Sequence, residues 1–336
     1  MDKKALALAM RSGSILIKHS QTSRGKIGVL PDKAGQLLLY ICWGEMHMRS
    51  KESRITHILF VLPGMLLYCF QTVIPVVVGA FYSATNWNGI SRNFSFIGFD
   101  NYAKALSDVR FLRSTSFSVR YTIMLVLCVL VISLILGLLL NIPIKGRSIF
   151  RSIYFFPAVI SMITIGLIFD QFYSKGMMAI GDVLNIPLLR KNILSSPATA
   201  IYGVLIANVW KSVAIPAVMV LAGLQSIPDE IVESAQLDGA TPWQQFKYIT
   251  LPFLLPILSV IMVLILKEGL MVYDYIMALT GGGPAGSTES ITLMIYRLGF
   301  EEMKFSYSIA LAILISVLIF SVSIVQIKLS NRKRIY

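Results

Sequence analysis

Four ionisable residues, Lys211, Lys267, Glu268 and Asp274, fall inside runs that are otherwise apolar. A charge in such a run is costly and faces a bundle interior or a wet cavity rather than lipid. Read as a helix, the run 199–224 gathers Asn208, Lys211 and Ser212 on one face. The run 253–280 gathers Lys267 and Asp274, seven residues apart with Met271 between them, on one face of another helix, with Glu268 and Tyr273 beside them. Such faces suit the binding and release of a polar solute along a hydrated path. One alternative is a set of structural ion pairs, such as Lys211 with Glu268. Another is ion coupling, in which Asp274, Glu268 and Asp170 take up a proton or a sodium ion.

Bond-making chemistry has no comparable support. His19, His47 and His57 are scattered, and Cys42, Cys69 and Cys128 are too few and too far apart for a disulfide framework or a metal site. With no nucleophile and base together, the chain is expected to be no enzyme and to carry no metal or cofactor. Gly281, Gly283 and Gly286 spell GxGxxG, but a dinucleotide site needs a strand before the glycines and a helix after them. Here an apolar run precedes and Pro284 interrupts, so an outer turn with positive φ is expected. Gly25-Lys26 is followed by isoleucine and lacks the upstream glycine of a phosphate-binding loop. Any drive from ATP must therefore come from another subunit.

The elements that would position these residues are membrane spans. Of 336 residues, 56% are hydrophobic and 14% charged, the composition of a polytopic membrane protein. The net charge of +13 sits in particular loops, which reads as topology rather than as a nucleic-acid stripe. Span-length apolar runs fall at about 58–82, 118–140, 153–173, 199–224, 253–280 and 306–327. Pro63 and Pro75 lie inside the first, which must then pack against neighbours. Lys145, Arg147 and Arg151 follow the second run, and Lys328, Arg332, Lys333 and Arg334 follow the sixth, with no acid nearby. Both sets are expected in the cytoplasm, with both termini. The expected division is a basic cytoplasmic tail at 1–56, a six-span domain at 57–328 and a basic tail at 329–336. The run 37–43 is too short to cross and lacks a cleavage site, so no signal peptide is expected. Met46 or Met48, just ahead of Arg49, Lys51 and Arg54, offers an alternative start that would leave residues 1–47 untranslated; otherwise they form a regulatory extension.

Between the fourth and fifth runs lies a polar elbow, residues 226–252. Ser226, Pro228, Asp229 and Glu230 are helix-start residues, and Gly239 is a stop. Thr241-Pro242-Trp243-Gln244 restarts a helix with the pattern of a capping box. Ile231 and Ala235 share one face of the first helix, and Trp243, Phe246 and Ile249 share one face of the second.

The spacing Glu233-Ser234-Ala235, three residues, Gly239, nine residues, Ile249-Thr250-Leu251-Pro252 resembles the EAA loop of ATP-binding-cassette importer permeases, departing only at Ser234. Phe96 to Tyr102, FIGFDNY, resembles a signature that follows the first span of sugar permeases. The run Tyr273-Asp274-Tyr275-Ile276, Leu279-Thr280-Gly281-Gly282-Gly283-Pro284, Ser287-Thr288 and Ile295-Tyr296 resembles the first of two paired permeases in carbohydrate importers, a group that includes glycerol 3-phosphate systems.

The resemblance covers most of residues 58–327. It implies an all-α polytopic protein of six transmembrane helices, with a cytoplasmic coupling helix between the fourth and fifth. It further implies that Glu233, Ser234, Ala235, Gly239, Ile249, Leu251 and Pro252 dock into a separate ATPase. The implied partners are a second homologous permease, two copies of an ABC ATPase subunit, an extracytoplasmic solute-binding protein and the lipid of a bacterial or archaeal cell membrane. The implied solute is a carbohydrate, an oligosaccharide first, with glycerol 3-phosphate or another small solute as the alternative; no nucleic acid is implied. An ion-coupled secondary transporter is the remote alternative, and it leaves the elbow without a purpose.

Overall fold

The computed structural model describes residues 51–142, 146–187 and 189–331. The tail expected up to residue 50 with its alternative start, His19, Cys42, His47, Lys145, Arg332, Lys333 and Arg334 lie outside them. Apart from one isolated antiparallel bridge between Thr85 and Phe96, the described elements are helical. The described residues fall into two compact units, one up to residue 74 and one from residue 75 on. In the first, α1 (Lys51–Tyr68) contains Pro63 and widens into a π turn at Cys69–Val73. The second begins within α2 (Ile74–Ser83).

Four helical stretches are long and apolar enough to cross a membrane: Ile58–Ser83, Val109–Asn141, Pro242–Leu270 and Phe305–Gln326. Two more spans arise if each of two bent helix pairs counts as one. The third expected run is not straight. It divides into α5 (Arg147–Val159) and α6 (Met162–Gln171), and the parts bend by 101°. Pro157 removes a donor from the last turn of α5, and Ser161, in extended backbone, stands at the N-cap of α6. The fourth run divides into α8 (Ala200–Ser212) and α9 (Ala214–Leu224), bent by 44°. Pro216 has no N–H for the Ser212 carbonyl and its ring crowds that oxygen, which kinks the helix there.

The fifth run is also shorter than expected. α12 (Leu251–Leu270) stops at Leu270, and α13 (Asp274–Leu279) starts afresh beyond Tyr273, whose φ is −137°. Lys267 and Asp274 therefore do not share a helix face, as the unbroken run implied. Gly269, in the last turn of α12, presses on α4 (Val109–Asn141) so closely that a Cβ there would lie 2.8 Å from Thr122 Oγ1.

α4 is the axis of the second unit. Phe117, Tyr121, Leu125, Val129, Ser133 and Gly137 recur every fourth residue and are all buried, forming one stripe along its length. α9 and α12 cover that stripe, and Gly137 lets Val220 approach to within 2.5 Å of where a Cβ would stand. Since Gly137 meets α9 and Thr122 meets the end of α12, the C-terminal end of α4 lies toward the elbow and its N-terminal end lies away from it.

At that far end the FIGFDNY residues hold the chain down. Asn101, in α3 (Asp100–Ser107), donates from Nδ2 to the Ser83 and Thr85 carbonyls at 2.8 and 2.9 Å, and Tyr102 Oη meets Ser83 Oγ at 2.7 Å. Thr85 Oγ1 in turn meets Ser306 Oγ at 2.9 Å, tying α2 to α15 (Phe305–Asn331).

Candidate functional site

A cavity of about 550 Å³ lies where the interrupted helices have their breaks. Its wall takes residues from the α5–α6 break (Ala158, Met162), the α8–α9 kink (Lys211, Ser212, Ile215) and the α12–α13 gap (Met271, Val272, Tyr273). All six residues expected to line a path, Asn208, Lys211, Lys267, Glu268, Tyr273 and Asp274, face it. The gap that separates Lys267 from Asp274 along the helix is also what turns both toward one space.

Behind the wall runs a chain of polar contacts. Asn208, fully buried, donates from Nδ2 to Tyr121 Oη at 2.9 Å. Ser212 Oγ lies 2.7 Å from Asn208 Oδ1 and 2.5 Å from Glu268 Oε1. Buried polar groups in a bundle are satisfied in this way or not tolerated. The expected alternative of a Lys211–Glu268 ion pair is not formed, and among the described residues none of Lys211, Lys267, Glu268 and Asp274 makes one. Asp170, the third acid of the ion-coupling alternative, is not among the lining residues.

Two contributors escaped the sequence reading, Tyr121 and Tyr275. Tyr275 lines the cavity, and its buried hydroxyl has no partner among the described residues. The signal for Tyr121 was a hydroxyl in an apolar run, and for Tyr275 its place in the run that resembles the paired permeases. Tyr273 opens a ladder of rings through Tyr296, Phe300 and Phe305 to Trp87, each 5.2 to 5.9 Å from the next.

The elbow forms from its own local bonds. α10 (Asp229–Leu237) follows Pro228 with Asp229 and Glu230 in its first turn. It ends where Gly239, at φ +76°, donates to the Gln236 carbonyl and Ala240 donates to that of Ala235, a Schellman closure. Ser234, exposed, donates from Oγ to Glu230 O at 2.7 Å within the helix. Thr241 and Gln244 make the expected capping box on α11 (Pro242–Gln245), and Trp243 stacks on Phe246 at 5.7 Å.

α11 is not a separate helix as expected. It runs through a π turn at Phe246–Thr250, containing Ile249, straight into Leu251 and Pro252 of α12. No residue from 225 to 253 is buried, and Leu237, Trp243 and Tyr248 are 90%, 69% and 68% exposed. Glu233 and Gly239 also stand at this surface. A rigid elbow with an exposed apolar face is suited to seat on another protein.

At the opposite end, Glu289 is the hub of an ion network. Arg110 of α4 reaches it at 2.7 Å, and Arg297, just after α14 (Ile291–Tyr296), reaches it at 2.8 Å. Arg297 also donates to the Gly281 carbonyl at 2.6 Å. Burial pushes the Glu289 carboxyl up, but the two arginine hydrogen bonds outweigh it and hold the group below the usual carboxylate range. The glycine turn has positive φ at Gly281, Gly282 and Gly286, as expected of two of the three glycines in the GxGxxG string; Gly282 rather than Gly283 completes the set.

A helical bundle with apolar spans and, at their breaks, a cavity that bears charged side chains on a largely apolar wall defines a membrane transport component. The chain belongs to the family of binding-protein-dependent transport system inner membrane components, whose pattern matches residues 130–335. It is 40% identical over 273 residues to the multiple sugar-binding transport system permease protein MsmF of Streptococcus mutans, covering 81% of this chain and 94% of that one. It is 32% identical over 294 residues to the trehalose/maltose transport system permease protein MalF of Thermococcus litoralis, covering 85% and 97%. In fold it is similar to a chain of a bacterial ABC transporter involved in the import of the acidic polysaccharide alginate, with a TM-score of 0.73 at 24% identity over 87% of this chain and 98% of that one.

Proposed function

We propose that this chain is one of two membrane subunits of an ATP-driven, binding-protein-dependent importer, and that its solute is a carbohydrate, an oligosaccharide first. The observation that carries the path is the convergence of three helix breaks on one cavity whose largely apolar wall bears Lys211, Lys267, Glu268 and Asp274. Non-helical backbone at membrane depth is tolerated where it lines a wet cavity, and solute sites are built there. Lys211, Lys267, Glu268, Tyr273 and Asp274 are its solute-facing groups, with Tyr273 offering a ring face and the others hydrogen bonds, while buried Asn208 supports this path from behind through Ser212. The sugar-transport names of the relatives, MsmF and MalF, support the choice of solute.

The elbow is the coupling element. Glu233, Ser234, Ala235, Gly239, Ile249, Leu251 and Pro252 dock into one of two copies of an ABC ATPase, and a second homologous permease completes the path. With the elbow and both termini in the cytoplasm, ATP binding draws the ATPases together. Each elbow then moves with its socket as a rigid body, and the spans rock from inward- to outward-facing. Uptake of labelled sugar in cells tests this reading. Uptake that stops on ATP depletion and survives an uncoupler is expected; the reverse would establish ion coupling.

A further inference from the structure

A second and larger cavity, about 1130 Å³, opens at the end of the bundle away from the elbow, between the first turns of α4, the start of α8 and the glycine turn at 285–287. Arg113 and Arg120 line it two helical turns apart on one face of α4. Both are exposed, and neither makes an ion pair among the described residues. Arg120 donates only to the Ser116 carbonyl of its own helix, at 3.3 Å. The single acid of the wall, Glu289, is already held by Arg110 and Arg297. The charge of this cavity is thus uncompensated, whereas the cavity at the helix breaks balances Lys211 and Lys267 against Glu268 and Asp274.

The two arginines also stand in water's reach. The 33 residues of α4 extend about 50 Å, against about 30 Å of hydrocarbon, and its unbroken apolar stretch begins only at Tyr121. Exposed Tyr202 adds a ring face to the wall.

We propose that this cavity is a subsite for an anionic carbohydrate, one that carries carboxylate or phosphate groups, and that Arg113 and Arg120 select it by charge-assisted, bidentate hydrogen bonds. The proposal rests on the importer reading and narrows its solute class. The headgroup of an anionic lipid at the bilayer edge carries the same chemistry, so the test separates the two sources.

The purified transporter complex, in nanodiscs of zwitterionic phosphatidylcholine, is titrated with trigalacturonate and with its neutral carboxyl-reduced counterpart, with saturation-transfer NMR as the readout. The wild type is expected to bind the acidic trisaccharide at least about tenfold more tightly than the neutral one, the scale of one or two charge-assisted bonds. R113Q/R120Q is expected to lose that preference, and R113K/R120K to keep part of it. Equal binding of the two sugars by the wild type, or an undiminished preference in R113Q/R120Q, overturns the proposal. So does native mass spectrometry in which added phosphatidylglycerol stays on the wild type, is lost from R113Q/R120Q and abolishes the trigalacturonate signal, since the headgroup is then the occupant. ATP-dependent uptake is measured on the same complex reconstituted into sealed phosphatidylcholine liposomes. Its loss in the wild type refutes the importer reading, whereas its presence without an acidic preference refutes the subsite alone.

Discussion

Gly239 owes its place to backbone angle rather than to space. At φ +76° it closes the Schellman turn, and a Cβ there would meet nothing within 4 Å of its own chain. A side chain therefore costs about 1–2 kcal/mol of left-handed strain and adds bulk on the docking surface. G239D is expected to reach the membrane at normal level and to abolish transport; normal uptake would remove the coupling role. In the cavity, D274N and K267M are each expected to change uptake affinity or rate in the assembled transporter, and no change in either would leave these charges structural. Glu289 gives a pH signature. Its folded carboxyl is depressed, so its stabilisation is complete above the usual carboxylate value of about 4.3 and is lost as pH falls through the lower folded value. Asp108 and Glu302 are lowered too and act in the same direction. Thermal unfolding in detergent should be flat from about pH 7 to 5 and fall steeply below about 4. E289Q should melt lower at pH 7 and show a shallower acid decline.

Among the elements, the elbow presents a face that its own chain leaves bare. L237D with W243A is expected to lose a bound ATPase on purification while the spans keep their thermal stability; an unchanged yield of ATPase would place the docking surface elsewhere. The elbow was legible in the sequence because its signals are local: Pro228 and the acids start α10, Gly239 stops it, and Thr241 with Gln244 caps α11. The apolar runs were legible but their breaks were not: four helices are long and apolar enough to cross a membrane, and the third and fourth runs fold as bent pairs. Pro157 and Pro216 were visible, yet a proline inside an apolar run shows neither where the bend falls nor how large it is. The gap after Leu270 had still less signal. Next to it Gly269 meets Thr122, a contact across more than a hundred residues of chain. The single face assigned to Lys267 and Asp274 does not exist, although both line the cavity. The network of Glu289 with Arg110 and Arg297 joins charges far apart in sequence, and no local pattern announces it.

At the scale of the whole molecule, the proposed importer is an assembly: no phosphate-binding loop occurs in these 336 residues, and in the proposed reading a separate subunit binds ATP. The breaks at α5–α6, α8–α9 and α12–α13 surround one cavity, while the elbow stands at the far end of α9 and α12. Rigid helices between the two can carry the elbow's displacement to the cavity. Most direct is gentle detergent purification of the tagged chain from its own membrane, with mass spectrometry of what stays bound. A homologous permease and an ATPase with a phosphate-binding loop, the latter at twice the amount of this chain, are the expected companions. A chain that purifies alone, or only with copies of itself, would contradict the ATP-driven importer.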